Sequence, residues 1–193
     1  GYKVVAFDPK SVSDTLLNLK QLGKLTGNSE YTSELLADMY LKLLKIKGFV
    51  KEHLKTNERP KVFYEIWDDP LMTAGENTFI DNIIELAGGI NIGAEAAGPW
   101  PQYNFEKLII EDPQVYISSP HSSATGVTVA SIKKRDKYKT LDAVNNDRIY
   151  IVNQDIINRP SPRIIKGLKL FVKAIFPQLK DKIDSIKPIE INK

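Results

Sequence analysis

The chain has 193 residues, of which 42% are hydrophobic, enough to bury a core in one domain or in two. Its net charge of +3 comes from 22 lysines and 5 arginines against 24 acidic residues, and because these charges are spread along the chain they predict no nucleic-acid partner. The lack of cysteine excludes disulfides and thiolate metal sites. No apolar run is long enough to cross a membrane. The first residue is glycine, so we expect a chain that was processed or cut from a longer one.

Residues 1–28 are predicted to form one strand and one helix. Tyr2–Phe7 (YKVVAF) is a short apolar run of the kind that forms a buried strand. Ser11 or Ser13 can cap the helix that follows, because a serine side chain accepts from the free N–H groups of the first turn. One strand and one helix cannot enclose a core, so we expect them to be the last βα unit of an amino-terminal lobe. The apolar positions of this helix are Val12, Leu16, Leu19 and Leu22.

A single long helix is predicted from about Ser29 to Thr56. Its apolar residues recur at spacings of three and four and therefore lie on one face, while lysines occupy the remaining, solvated side. Such a helix is roughly 40 Å long, about the diameter of a small domain, so it either braces one large domain or joins two lobes. The apolar face consists of Tyr31, Leu35, Met39, Leu43, Ile46, Val50 and Leu54, widened by Leu36, Tyr40 and Leu44, and the lysines are Lys42, Lys45, Lys47, Lys51 and Lys55.

Residues 57–193 are predicted to form an α/β lobe. Strands alternate with helices, which predicts a parallel sheet flanked by helices and joined by right-handed crossovers. The fold class expected for the whole chain is therefore α/β, with this lobe preceded by the long helix and the βα unit. Residues 177–193 are lysine-rich and are expected to lie on the surface as an appendage. The predicted strands are 62–67, 115–118 and 148–153, and the predicted helices are 77–87, 104–111, 128–135 and 160–176.

No catalytic residue, metal site or cofactor is predicted. His53 lies on the long helix between lysines and His121 lies in a serine-rich loop, and both are interpreted as surface residues. No His/Asp cluster has the spacing of metal ligands. The serines around His121 lack a nucleophile-elbow motif, and Gly88-Gly89 follows a helix, whereas a dinucleotide-binding motif follows a strand. We therefore do not expect an enzyme.

Two stretches that contain tryptophan are candidate ligand contacts. In residues 65–75, a strand runs into a loop that places Trp67 and two aspartates at its carboxyl end, where open α/β sheets bind ligands. A core tryptophan before a solvated turn is the alternative interpretation. In the sequence GPWPQ, Trp100 stands between two prolines that stiffen an exposed loop. A rigid, exposed aromatic ring is a good contact for a flat ligand.

A third candidate stretch carries two arginines. Residues 158–163 (NRPSPR) connect a predicted strand to the last long helix and contain Arg159 and Arg163. The expected position of Arg163 is the first turn of that helix, where free N–H groups already favour an anionic group. A capping or surface arginine is the alternative.

These stretches together resemble a known family. The order WDDPLMTAG, LAGGINI, GPWPQYNFEKLIIEDPQVYI, RIYIVN and RPSPR is similar to that of the class III periplasmic binding proteins, the receptors of ABC importers for cobalamin, ferric siderophores and haem. The resemblance spans residues 3–176. It implies two α/β lobes joined by one long helix, with the ligand between the lobes. Residues 1–28 would then be a remnant of the amino-terminal lobe, residues 29–56 the inter-lobe helix, and residues 57–193 the carboxyl-terminal lobe.

The resemblance also implies roles for single residues. Trp100 matches an aromatic residue that faces the ligand, and Trp67 lies beside another such position. Arg163 matches a ligand-facing arginine, and Arg159 in the same loop could also meet an anionic chelate. Glu106 matches a surface glutamate that pairs with arginines of the membrane permease. Without the resemblance, Glu106 would be interpreted as a solvated residue stabilised by the helix dipole.

We therefore expect the substrate-binding component of an ABC importer, acting in the periplasm or on the extracellular face of the cytoplasmic membrane, with a lipid anchor as one option. A corrinoid is the first ligand expected, because the exposed tryptophan offers flat apolar contact, and a ferric siderophore or haem is the alternative. The exposed apolar surface of residues 1–27 predicts self-association. A ligand-sensing domain and an enzyme subunit on the same architecture remain open, since fold does not fix function.

Overall fold

The computed structural model describes residues 2–120, 127–157 and 159–187. Five strands, β1 to β5 in chain order, lie in these ranges: Lys61–Asp68, Leu71–Thr73, Ile90–Asn91, Val115–Ser118 and Ile149–Ile151. Helices α1 to α9 are Val12–Leu25, Ser29–His53, Phe79–Leu86, Phe105–Glu111, Val129–Lys133, Asp142–Asn145, Gln154–Ile157, Ile164–Ile175 and Lys180–Asp184. None of these helices, which cover the described ranges, is long and apolar enough to cross a membrane.

The sheet is mostly parallel, as predicted. The strand β1 is central and pairs in parallel with β4 and β3, and β4 pairs in parallel with β5. The short strand β2 returns antiparallel to the end of β1, a hairpin that the sequence analysis did not predict. Successive side chains of β1 point to opposite faces, so Val62 and Tyr64 enter one core cluster and Phe63 enters the other. Helices α2, α3, α8 and α9 cover the first face, and α4, α5 and α6 cover the second.

The helix α2 is continuous over 25 residues and ends three residues earlier than predicted, at His53. The second half of its predicted apolar face is confirmed, because Met39, Leu43, Ile46 and Val50 are buried in the core. The first half is confirmed only for Leu35, which is partly buried against the core, whereas three of its other members are exposed. Tyr31, Tyr40 and Leu44 are 42%, 54% and 46% exposed.

Close packing with α1 explains this difference. A Cβ atom on Gly23 of α1 would lie 2.3 Å from Thr32 Oγ1, so the two helices meet through small side chains and Thr32 is buried at the contact. Lys42, predicted to be solvated, is also buried, and its ammonium group pairs with Asp38. A lysine can bury its aliphatic stem in this way while its charged end keeps a partner.

The two ends of the chain differ most from prediction. Helix α1 begins after Ser11, whose hydroxyl accepts from the Asp14 N–H, as predicted. The predicted strand Tyr2–Phe7 is not formed, and Val4 is 87% exposed. A strand needs a neighbour for its backbone groups, and none of the described strands lies beside this segment. At the other end, residues 177–187 are not a surface appendage, because Leu179, Ile183 and Ile186 are buried in the core.

Candidate ligand-binding cleft

A cavity lies at the carboxyl end of β1, where the chain leaves the sheet. Its volume is about 600 Å³, within the range of small-molecule sites. Its walls come from the amino-terminal segment, β1 and β2, the start of α3, the proline-rich loop and the region of α7. The lining residues are Phe7, Asp8, Pro9, Lys10, Tyr64, Ile66, Trp67, Met72, Thr78, Phe79, Ile80, Pro99, Trp100, Ile157 and Pro160.

Trp67 reaches this cavity because of an irregularity in the β1–β2 hairpin. The pairing register shifts between Glu65 and Trp67, which turns the end of the strand away from regular alternation. The Trp67 side chain is 41% exposed, and its Nε1–H donates to the Asp69 carbonyl at 2.8 Å. The ring is therefore held at one edge and presents its remaining surface to the cavity.

The loop that carries Trp100 is fixed along its backbone. The N–H groups of Thr73 and Gly75 donate to the carbonyls of Pro101 and Pro99, at 3.1 and 2.9 Å. A Cβ atom on Gly75 would lie 2.0 Å from the Gly98 carbonyl oxygen, so this close approach requires glycine. Trp100 itself is 50% exposed and projects from a loop that is bonded to β2 like an extra strand.

Residues 7–10, which precede α1, form another wall of the cavity. The Val12 N–H donates to Asn82 Oδ1 on α3 at 3.0 Å, which ties the start of α1 to the lobe. The Lys10 N–H donates to the Asp14 carboxylate at 3.0 Å. These bonds hold the carboxyl end of the segment at the start of α1. The sequence analysis missed this wall, because it assigned residues 2–7 to a buried strand.

A buried ion pair between Glu65 and Arg135 lies near the carboxyl end of β1. Glu65 is 2% exposed and accepts from the Ser118 hydroxyl at 2.8 Å, from the Tyr116 hydroxyl and from both terminal nitrogens of Arg135. Arg135 also reaches Asp68 at 3.4 Å. Burial opposes the charge of Arg135, but its bonds to Glu65 outweigh burial and raise its pKa. Burial and the nearby Glu65 charge raise the pKa of Tyr116 well above its usual value, so it stays a neutral donor.

The sequence contained one signal for this pair. Glu65 is the single charged residue inside an otherwise apolar strand, VFYEIW. A charge at such a position is paired when it is buried. The partner, Arg135, follows α5 and is 70 residues away in sequence. No local pattern could identify it.

The two arginines predicted as ligand contacts are not among the residues that line the cavity. Arg159 is exposed, and its Nε lies 3.1 Å from the Asp155 carboxylate. Arg163 is also exposed and occupies the N-cap position of α8, without a capping bond from its side chain. Only their neighbour Pro160 reaches the cavity.

Glu106 and His53 are not among the described residues that line the cavity. Glu106 is exposed in the first turn of α4, capped by Asn104, which accepts from the N–H groups of Glu106 and Lys107. His53 packs edge-on against Phe176, and His121 lies outside the described residues. Within the described ranges, no three His, Asp or Glu side chains are grouped to hold a metal ion.

The chain belongs to the periplasmic binding protein family, whose model matches residues 1–156. Its relatives and structural neighbours identify it as a class III periplasmic binding protein, as the sequence resemblance predicted. The mixed α/β architecture around a mostly parallel sheet is that of this class.

Three similar proteins illustrate the relationship. The Vitamin B12-binding protein of Vibrio cholerae is 25% identical over 169 residues, which cover 88% of this chain and 58% of that protein. The uncharacterized ABC transporter substrate-binding lipoprotein YvrC of Bacillus subtilis is 27% identical over 171 residues, covering 88% and 52%. The solved structure of a possible iron-binding (periplasmic solute-binding) protein from Staphylococcus epidermidis superposes with a TM-score of 0.78 at 31% identity, covering 91% of this chain and 67% of that one. The chain thus spans little more than half the length of the curated relatives it matches.

Proposed function

We propose that this chain is part of the substrate-binding component of an ABC importer, which captures a bulky ligand in the cleft and delivers it to a membrane permease. The observation that carries the proposal is the cavity of about 600 Å³ whose lining includes Trp67, Trp100 and residues 7–10. In an apolar cleft, two half-exposed aromatic rings can pack against the apolar surface of a large ligand. Such a protein binds without catalysis, which agrees with its family.

A corrinoid is the ligand that this cavity fits best. Aromatic rings and prolines dominate the described lining, which suits the flat face of a macrocycle. Haem, and those ferric siderophores that carry anionic groups, need cations in the site. For such a ligand we propose Arg159 and Arg163 as contacts for the parts that extend beyond the cavity, since both guanidinium groups lie in the solvent near Pro160.

The proposed domain organisation follows from the surface outside the cavity. Residues 2–7 are extended and exposed, and Leu25, Leu41 and Leu44 on the two first helices are 62%, 58% and 46% exposed. We propose that α2 is an inter-lobe helix, that this apolar surface packs on an amino-terminal lobe, and that residues 57–193 form the carboxyl-terminal lobe. Without that lobe the same surface would make the chain self-associate.

Delivery requires a docking residue, and we propose Glu106. Its carboxylate is exposed on the outer surface of α4, whereas the next residue, Lys107, pairs with Glu95 at 3.0 Å. An exposed acid at this position can meet an arginine of the permease. The protein would act in the periplasm or on the extracellular face of the cytoplasmic membrane.

The test is a ligand survey on the full-length protein. Titrations with cyanocobalamin, a ferric hydroxamate and haem, followed by absorbance and calorimetry, should give saturable binding to cyanocobalamin and weaker or no binding to the others. Binding of the hydroxamate or haem alone would replace the corrinoid with the alternative ligand. Failure of all three to bind would contradict the proposed function.

A further inference from the structure

The cavity contains one pair of oppositely charged side chains. Of its described lining residues, only Asp8 and Lys10 are charged, and Lys10 Nζ lies 2.8 Å from Asp8 Oδ2. Both belong to the segment before α1, which lines the cavity together with the two tryptophans. Among the described lining residues, these two side chains are therefore the ones that can offer a charged partner to a ligand.

The carboxyl end of this segment is held by two backbone N–H groups, whereas the side chains of Asp8 and Lys10 are exposed. The Lys10 N–H donates to Asp14, and the Val12 N–H donates to Asn82, each at 3.0 Å. The side chains of Asp8 and Lys10 are 83% and 60% exposed. An ion pair exposed to water contributes little to stability, so each group can exchange its partner for a ligand at small cost.

We propose that Asp8 and Lys10 together recognise a carboxamide group at the edge of the ligand. A primary amide has a carbonyl oxygen, which can accept from Lys10 Nζ, and two N–H donors, one of which can donate to the Asp8 carboxylate. Both charged groups are then hydrogen-bonded while the pair stays electrically neutral. This inference rests on the proposed function and specifies its ligand further.

The same pair selects against charged groups at this position. A carboxylate offers acceptors only, so Lys10 attracts it but Asp8 repels it and loses its hydrogen bond. An ammonium group offers donors only, so Asp8 attracts it but Lys10 repels it. The ligand class that fits is therefore a large molecule with an apolar face for Trp67 and Trp100 and uncharged carboxamides at its periphery.

The experiment compares two ligands that share one ring. Dicyanocobinamide carries carboxamides, and dicyanocobyrinic acid carries carboxylates at the equivalent positions. On the full-length protein, calorimetry should show that cobinamide binds at least tenfold more tightly. Lys10→Met should weaken cobinamide binding about tenfold, the effect of one hydrogen bond to a charged group. Lys10→Arg should restore most of it.

Substitution of Asp8 is the more discriminating experiment, because it should change the affinity for the carboxylate ligand in the opposite direction. Asp8→Asn removes the repulsion between Asp8 and a ligand carboxylate. The affinity for cobyrinic acid should therefore rise about threefold to tenfold, and the ratio of the affinities for cobinamide and cobyrinic acid should fall. Lys20→Met and Glu34→Gln change the same charges at exposed positions on α1 and α2 and should leave both affinities unchanged.

The outcomes separate this inference from the proposed function. Equal binding of the two corrinoids, or a preference that neither Lys10→Met nor Asp8→Asn changes, would overturn amide recognition while corrinoid capture stands. Binding of ferrichrome but of neither corrinoid would overturn the inference and leave the transport function intact. If none of these ligands nor haem binds, the proposed function fails as well.

Discussion

Two loops at the carboxyl end of the sheet were both predicted to contact ligand, and the structure holds them differently. The loop around Trp100 is bonded to β2 through Pro99 and Pro101 and projects its ring into the cavity. The loop with Arg159 and Arg163 places only Pro160 at the cavity, and its arginines extend into solvent. A side chain has a defined place in a site when the backbone beneath it is fixed. We therefore expect substitutions in the first loop to have larger effects on binding.

Arg135 is held in place by its buried partner Glu65, and its removal should have the largest effect, on the free energy of unfolding. Arg135→Ala leaves Glu65 buried with two hydroxyl donors but without its counter-charge. Breaking a buried pair in this way costs about 3–5 kcal/mol of unfolding free energy. Urea denaturation followed by circular dichroism measures this loss.

Two controls accompany this measurement. Lys133→Ala removes a more exposed pair, between the last residue of α5 and Asp147, and should cost less than about 1 kcal/mol. Glu65→Gln combined with Arg135→Met should recover part of the loss, because no uncompensated charge remains. A loss for Arg135→Ala as small as that for Lys133→Ala would show that the buried pair does not support the end of β1.

Trp100→Ala should have the next largest effect, on affinity rather than on stability. Truncating a central aromatic contact costs about 2 kcal/mol, roughly thirtyfold in Kd. Because the ring is half exposed and its loop is held by backbone bonds, unfolding free energy should change by less than about 0.5 kcal/mol. Calorimetry with cyanocobalamin and urea denaturation measure the two quantities.

Tyr40→Ala is the matched control for Trp100→Ala, since this aromatic ring is 54% exposed on α2 and does not line the cavity. Its affinity should equal that of the unmodified protein. If Trp100→Ala unfolds the lobe and leaves the affinity of the folded molecules unchanged, Trp100 is a packing residue.

The sequence predicted what depends on local patterns. The strand β1 and the helices α3 and α4 follow from apolar runs and their boundary residues, and all three are confirmed. The orientation of α2 was predicted only in part, because its contact with α1 depends on Gly23 meeting Thr32, a pair of small residues without a periodic signal. The bond from Val12 to Asn82 and the Glu65–Arg135 pair each join distant segments. Such contacts depend on tertiary packing, which a local pattern does not encode.

Glu106→Ala tests an exposed side chain in the first turn of α4, which belongs to neither loop. Ligand affinity should stay unchanged, because Glu106 is not among the lining residues of the cavity. Transport of the ligand by cells should fall about tenfold, as expected when one charged contact with the permease is lost. Glu95→Ala is the control, since this exposed acid already pairs with Lys107. A loss of ligand affinity with normal transport per bound ligand would contradict the docking role.

Replacing Arg159 and Arg163 together by glutamine should have the smallest effect. Both side chains are exposed, and Arg159 already pairs with Asp155, so a new contact with ligand is screened by water and must displace an existing partner. We expect a loss of about threefold or less in affinity for an anionic chelate, decreasing further at high salt, and no change for the uncharged cyanocobalamin. Lys166→Gln, exposed on α8, is the matched control for charge. A thirtyfold loss for the arginine variant would place these side chains beside Trp100 in the bound state. The second loop would then become fixed only when ligand is present, and its exposure in the free protein would not predict its contribution.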